Sequence, residues 1–237
     1  MRFECASRTH VGLKRKINED SILVQTDRGL WVVADGMGGH DAGEVASAMV
    51  VDSLRQLPAA DDLDRLTADA VETLRTVNRA LIELAQSEDR ERTIGTTVVG
   101  VAIAGGYFSC FWAGDSRAYR LRDGMLSRVS RDHSLVQQLV DSGMLSADEA
   151  EGHENANVIT RAVGVAAEIV VDTVGGDACA GDQFLLASDG LTRVVDDDEI
   201  AAELERNGPE EAADKLIETV LARGAPDNVS LIIVRVG

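Results

Sequence analysis

The apolar residues of this chain follow two rhythms. Short runs rich in Val, Ile, Leu and aromatics are bounded by Gly, Asp and Ser, and they predict strands at Ser21–Gln25, Leu30–Ala34, Thr96–Ala104, Tyr107–Ala113, Ala118–Arg122, Ile169–Val174, Gln183–Ala187 and Val229–Val236. The first two are separated by Asp27-Arg28-Gly29, a hairpin signal. The longer rhythm steps by three or four. Leu63, Leu66, Ala70, Leu74, Val77, Leu81 and Leu84 form one apolar stripe, which predicts a helix. A second helix runs from Ala42 to Leu57 and stops before Pro58. Gly208-Pro209 opens a third, with Pro in its first turn. Ser146-Ala147-Asp148-Glu149 has the capping-box spacing that opens another. Strands come as hairpin-like neighbours, then helices, then strands again. That order disfavours the strict alternation of a parallel sheet and points to antiparallel sheets covered by helices.

With 237 residues, 45% hydrophobic and 27% charged, the chain fits one globular domain spanning 1–237. No repeat or low-complexity linker divides it. Charge changes the picture more. There are 41 acidic residues against 23 basic ones, a formal charge of -18. Such a surface repels nucleic-acid phosphates and anionic lipid, so neither nucleic acid nor membrane is an expected partner. Cys5, Cys110 and Cys179 are odd in number and widely spaced, which argues against a disulfide framework or a zinc ribbon. Met1-Arg2-Phe3-Glu4 shows no apolar signal core. The longest apolar stretch, Val98 to Gly114, is broken at Gly105-Gly106 and reads as two strands, not a membrane span. A reducing, cytoplasmic location and a monomer are the expectations.

Candidate chemistry sits where strands end. Trp31-Val32-Val33 delivers Asp35 to the turn Asp35-Gly36-Met37-Gly38-Gly39-His40. Leu185-Leu186-Ala187-Ser188-Asp189-Gly190 repeats the construction, Asp115 follows the apolar run ending at Ala113, and Asp227-Asn228 precedes the run from Val229. Taken singly, each is also an ordinary turn with Asp as turn former. Taken together, several aspartates can converge on one end of a sheet, where their repulsion calls for a cation. Hard divalent cations take carboxylate and carbonyl oxygens, and an Asp-Gly pair offers both. Lys14-Arg15-Lys16-Ile17-Asn18-Glu19-Asp20 holds the one dense basic cluster, set before two acids. Its Arg15 has the fork that grips phosphate, although a solvated charged turn would look the same.

These segments together resemble the metal-dependent protein phosphatases of type 2C, in their bacterial form. The markers stand in family order: Arg15-x-x-Asn18-Glu19-Asp20, Asp35-Gly36-Met37-Gly38-Gly39-His40 with Gly43, Gly95-Thr96-Thr97, Gly114-Asp115-Ser116-Arg117, Asp132-His133-Ser134, Ile159-Thr160-Arg161-Ala162-x-Gly164, Ser188-Asp189-Gly190-Leu191 and Asp227-Asn228. The resemblance implies an α+β fold, a four-layer αββα sandwich of two mainly antiparallel sheets flanked by helices. It implies two divalent ions, Mn²⁺ or Mg²⁺, with a third and weaker one in bacterial members. By resemblance Asp35 bridges the pair, Gly36 supplies a carbonyl ligand, Asp189 and Asp227 are further ligands, and Asp115 shares the third site with Asp189. Asp20, with Glu19 beside it, orders metal-bound water; Arg15 clamps phosphate; residues 134–165 form a mobile flap.

The implied activity is hydrolysis of phosphoserine and phosphothreonine in proteins. A hydroxide bridging the metals attacks phosphorus directly, without a covalent phosphoenzyme. The expected partners are phosphorylated proteins and a serine/threonine kinase whose action the chain opposes. Only three lysines among 23 basic residues suggests a GC-rich bacterial source. Two positions depart from the family pattern. Met37 stands where eukaryotic relatives place a His after Asp-Gly, which leaves His40 as the candidate acid. Pro226 lacks an amide donor ahead of Asp227, and a slightly altered loop is expected there.

Rival chemistries fail on spacing. A thiolate phosphatase needs Arg six residues after Cys, and Val11, Ser116 and Leu185 stand there instead. No Gly-Lys pair exists for a P-loop, and H-E-x-x-H is absent. Asp196-Asp197-Asp198-Glu199 reads better as an acidic helix start than as an aspartyl-phosphate site. The remaining rival is a catalytically silent relative acting as a binding module. Against it stands the presence of Asp35, Asp189, Asp227, Arg15 and Asp20.

Overall fold

The structure is a computed structural model, and it describes residues 1–38, 42–58, 62–87, 93–146, 149–150 and 153–237. Eleven strands and six helices carry most of these residues. The strands are β1 (Phe3–His10), β2 (Asp20–Gln25), β3 (Leu30–Met37), β4 (Gly95–Thr96), β5 (Val98–Ala104), β6 (Tyr107–Ala113), β7 (Arg117–Arg122), β8 (Met125–Arg128), β9 (Asp172–Asp177), β10 (Gln183–Ala187) and β11 (Val229–Val236). The helices are α1 (Ala42–Arg55), α2 (Leu63–Ser87), α3 (Leu135–Asp141), α4 (Asp189–Thr192), α5 (Asp197–Arg206) and α6 (Pro209–Ala222).

One sheet has the order β1-β11-β10-β7-β8; the other runs β2-β3-β5-β6-β9, with β4 paired to β3. All pairings are antiparallel. The four-layer αββα sandwich follows from which face each side chain takes. On β3, Trp31 and Val33 point between the sheets, while Leu30, Val32 and Ala34 pack under α1 and α2. On β11, Ile232, Val234 and Val236 face the other sheet, while Val229, Leu231 and Ile233 pack under α5 and α6. Both faces of the central strands are buried, so these strands read as continuous apolar runs instead of alternating ones.

Several elements differ from their predicted bounds. The strand expected at Thr96–Ala104 is two pieces, because Thr97 leaves the ladder. Its N–H bonds the Asp35 carbonyl at 2.8 Å, and its hydroxyl meets Ser116 Oγ at 2.7 Å. The strand expected at Ile169–Val174 lies at Asp172–Asp177, because its register with β6 begins at the pair Asp172↔Trp112. Ile169 is used earlier, as a buried plug in the helix-side core. The acidic run at Asp196 is a helix start, closed by a capping box between Asp196 and Glu199. Ser146 and Glu149 make the reciprocal bonds of the expected cap, at 2.8 and 3.3 Å. Ala147 and Asp148 lie outside the described residues. Strands β1 and β8 carry no expectation from the apolar pattern. The first is polar in sequence and is paired with β11 along its whole length. The second follows Asp123-Gly124, both left-handed (φ 52° and 73°), a two-residue hairpin turn that a stricter search for Asp-Gly would find.

Candidate functional site

Sheet register decides which aspartates meet. Ala187 pairs with Leu231 on one side and Arg117 on the other. Asp189 beyond β10, Asp227 before β11 and Asp115 before β7 therefore emerge at the same end of one sheet. In the other sheet Asp20 is the register partner of Asp35. The two groups then face each other across the sandwich. Ser188 Oγ donates to Asp20 Oδ2 at 2.9 Å, and the Asn228 amide oxygen accepts from the Glu19 N–H at 2.8 Å.

Two glycines permit this approach. A Cβ on Gly36 would stand 2.1 Å from the Gly43 carbonyl oxygen and 2.6 Å from that of Glu19. One on Gly190 would stand 1.8 Å from the carbonyl oxygen of Asn228. No side chain fits at either place, so these crossings of backbone demand glycine. Asp35 is braced from behind: its N–H reaches Thr97 Oγ1 at 3.2 Å, and its carbonyl accepts from the Thr96 hydroxyl at 2.9 Å.

The electrostatics show a crowded anionic cluster. Burial, and then the charges of Asp20, Asp189, Asp115 and Asp227, push the Asp35 carboxyl well above the usual carboxylate range. Asp35 lies within hydrogen-bonding reach of both Asp20 and Asp189. Burial raises Asp20 to about 6, although Ser230 and Ser188 oppose the shift. Asp115 also rises to about 6, through burial and Asp189, with Arg193 pulling the other way. Asp189 is raised by burial against the pull of Arg193. Asp20 Oδ1 and Asp115 Oδ1 are buried without a hydrogen-bond partner.

Two arginines answer part of this charge. Arg15 Nη2 pairs with Asp227 Oδ2 at 2.8 Å, and among the described residues the rest of its half-exposed fork has no further ion pair. Arg193, which carries no local signal beyond its place four positions after Asp189, reaches Asp189 and Asp115, each at 2.9 Å. Among the described residues, no three acidic, histidine or cysteine side chains close into a tight ligand group. The fit to a divalent pair rests instead on the donor set. Hard carboxylates raise one another's pKa, and a buried oxygen on Asp20 has no partner. Repulsion of that kind is relieved by a cation.

The predicted site residues thus fall into three groups. Asp20, Asp35, Asp115, Asp189 and Asp227 are brought together. Gly36 lies beside Glu19, whose carbonyl accepts from the Gly36 N–H at 3.1 Å, and Arg15 stands at the rim on Asp227. His40 lies outside the described residues. Ser188, Asn228 and His133 belong to the motifs but had no role from sequence, and the structure gives them one. Asn228 holds the approach to Asp20 by donating to the Val11 and Ile17 carbonyls, both at 2.9 Å. His133 accepts from the Gly114 N–H at 3.1 Å, beside Asp115.

Known proteins share this fold. "PppA, a key regulatory component of T6SS in Pseudomonas aeruginosa" superposes with a TM-score of 0.92 at 42% identity, covering 99% of this chain and 98% of that one. The catalytic domain of the serine threonine protein phosphatase PstP, solved in complex with 2 manganese ions, gives a TM-score of 0.86 at 36% identity, with 99% of both chains covered. The curated serine/threonine protein phosphatase PstP of Mycobacterium tuberculosis is 39% identical over 232 residues. That match takes in 96% of this chain and 44% of the relative, so this chain spans less than half the length of that protein. Residues 9–222 match the family Protein phosphatase 2C. The chain belongs to the protein phosphatase 2C family.

Proposed function

We propose that the chain is a metal-dependent serine/threonine protein phosphatase. The observation that carries this reading is the convergence of four aspartates from both sheets on a fifth, Asp35, whose carboxyl burial and their charges hold well above the usual range. Asp35, the Gly36 carbonyl, Asp189 and Asp227 would hold two divalent ions, Mn²⁺ or Mg²⁺. Such a pair, when bound, supplies an acidified water and neutralises charge on a phosphoryl group.

The chain's own residues do the rest. Asp20, fixed by Ser188, and Glu19 beside it, orient water at the site. Arg15 leaves part of its guanidinium for the substrate phosphate, and its rim position suits a phosphate carried on a protein. Direct attack on phosphorus requires no Cys or Ser nucleophile. His40 keeps its place as the candidate acid from sequence alone.

The substrates on this reading are phosphoserine and phosphothreonine in proteins, and the opposing activity is a serine/threonine kinase. We read 1–237 as one phosphatase domain acting as a monomer, with 134–165 as its flap. No helix among the described residues is long and apolar enough to cross a membrane. Cys5, Cys110 and Cys179 are all free, which suits a reducing cytoplasm.

The test is initial rates on p-nitrophenyl phosphate and a phosphothreonine peptide, with Mn²⁺ and with EDTA, for wild type and Asp35→Asn. Turnover should need the metal and vanish in the variant. Folded wild type without turnover under any metal would sink the reading and favour a silent binding module.

A further inference from the structure

Between Asp115 and Asp189, where the family resemblance puts a third and weaker metal ion, this chain already holds a cation. We propose that the Arg193 guanidinium replaces that ion, so that the protein binds two divalent ions and has no third site. The inference rests on the metal-pair reading above.

The geometry is specific. Arg193 follows α4, one helical turn after Asp189, and its backbone N–H bonds the Asp189 carbonyl at 3.0 Å. From that anchor, Nε reaches Asp189 Oδ2 and Nη2 reaches Asp115 Oδ2, each at 2.9 Å. Asp115 is 5% exposed, and Arg193 is the only cation paired with it among the described residues. An arginine fork suits this task, because its donors are planar and diverge far enough to span two carboxylates. It is also charged at every accessible pH and is tethered to the chain, so dilution cannot remove it. Arg193 holds one oxygen of each carboxylate and leaves Asp115 Oδ1 without a partner, so a divalent ion set between them would have to displace the guanidinium or sit directly against it. It would then face a like charge that cannot leave. Two aspartates and a guanidinium therefore do not fit a third ion.

The same guanidinium reaches outward. Nη2 lies 3.5 Å from the carbonyl oxygen of Ala156, in the segment between Ser134 and Val165. A bound ion at this place would link that segment to the aspartates only while the ion stayed bound. Arg193 makes that approach without an ion.

Metal stoichiometry tests this directly. Mn²⁺ binding to the whole chain is counted by titration calorimetry and by the EPR signal of free Mn²⁺, for wild type, Arg193→Met, Arg193→Asp and Asp115→Asn. Thermal unfolding of each confirms that it is folded. Two ions are expected in wild type and in Asp115→Asn. A third, weaker ion is expected when the charge is removed in Arg193→Met, and a tighter third ion in Arg193→Asp, where a carboxylate joins the other two. Three ions in wild type, falling to two in Asp115→Asn, would overturn the proposal. So would two ions in wild type and in both Arg193 variants. Folded wild type that binds no Mn²⁺ would overturn the metal-pair reading itself, a result distinct from either.

Discussion

The hydroxyl of Ser188 donates to Asp20 Oδ2 at 2.9 Å, and through that bond the end of β10 fixes a carboxylate that belongs to the opposite sheet. Ser188 Oγ in turn accepts from the Ser230 N–H at 2.9 Å. The orientation of Asp20 therefore depends on the seating of β10 against β11. Its other oxygen, Oδ1, is buried and unpartnered.

Ser188→Ala should consequently damage activity more than folding. Loss of a partner that orients a group at a metal site costs about 10–100-fold in activity or metal affinity. The stability loss should be about 2 kcal/mol, since two hydrogen bonds at roughly 1 kcal/mol each are lost within an intact core. Rates at saturating Mn²⁺ together with a denaturant titration separate the two effects. Near-normal rates would show that Asp20 needs no such brace.

Asp35→Asn should do the opposite to stability. Asp35 is opposed by four other carboxylates as well as by burial. Replacing it with a neutral amide removes the centre of that repulsion. The metal-free variant should gain about 1–2 kcal/mol, roughly 3–6 °C in Tm, while losing metal-dependent turnover. A metal-free variant that melts below wild type would mean that the cluster is not the source of strain assigned to it.

The same repulsion sets a pH dependence. Asp20 and Asp115 have folded pKa values of about 6, above the ordinary 3.8. Between those values the folded state binds more protons than the unfolded state, so metal-free stability falls as pH rises through the window. For Asp20 alone the loss is on the order of 3 kcal/mol. Saturating Mn²⁺ should reverse the slope, because cations compete with those protons for the same oxygens. Melting curves from pH 4 to pH 7, with EDTA and with Mn²⁺, read both signs. A metal-free Tm that rises across this range would contradict the raised carboxyls.

Asn228 is the clip that shapes the Arg15 loop. Its amide donates to Val11 and Ile17 and accepts from Glu19, so one side chain closes the stretch that carries Arg15. Asn228→Ala should cost about 2–4 kcal/mol, from three bonds at roughly 1 kcal/mol each. Asn228→Asp is the sharper test. It keeps the acceptor for Glu19 but loses both donors, so Arg15 should be misplaced and kcat/KM should fall about 10-fold or more. An unchanged kcat/KM in Asn228→Asp would separate Arg15 from the substrate phosphate.

The clustered aspartates were legible because each ends or begins an apolar run, and strand ends are where sheets gather polar groups. The αββα layering came from the family resemblance, and the continuous apolar runs at β3, β10 and β11 are its physical mark. What the sequence hid were contacts between segments far apart in the chain. Ser188 meets Asp20 at a separation of 168 residues, and Arg193 meets Asp115 at 78. Nothing local distinguishes such a serine or arginine from a solvent-facing one. Strand β1 was hidden for a different reason. Arg8 and Thr9 look like surface, and only pairing with β11 and the ion pairs from Arg8 to Glu210 and Asp214 make a strand of them.

His133 links the site to the segment that follows β8. Its Nδ1 accepts from the Gly114 N–H, and its Nε2 faces Asp172 Oδ2 at 3.2 Å and Arg161 Nη1 at 3.0 Å. Trp112 stacks on the ring at a centroid distance of 6.0 Å, Asp132 adds a negative charge nearby, and Arg161 pairs with Asp172 at 2.6 Å. Burial, then the Arg161 charge, lowers the His133 pKa below its ordinary 6.5, against the pull of Asp172 and Asp132. A lowered pKa means that the folded state prefers the neutral ring. Its contribution is complete above pH 6.5 and is lost as pH falls toward the folded value, because protonation of Nδ1 breaks the bond to Gly114. Residues 134–165 should therefore exchange amide hydrogen faster, after correction for intrinsic rates, as pH drops from 7 to 5.5. In His133→Asn an amide oxygen can still accept from Gly114 but does not titrate, and the pH dependence should disappear. If wild type and His133→Asn show the same corrected pH dependence, the latch is not His133, and the carboxylates of the cluster itself must move the segment.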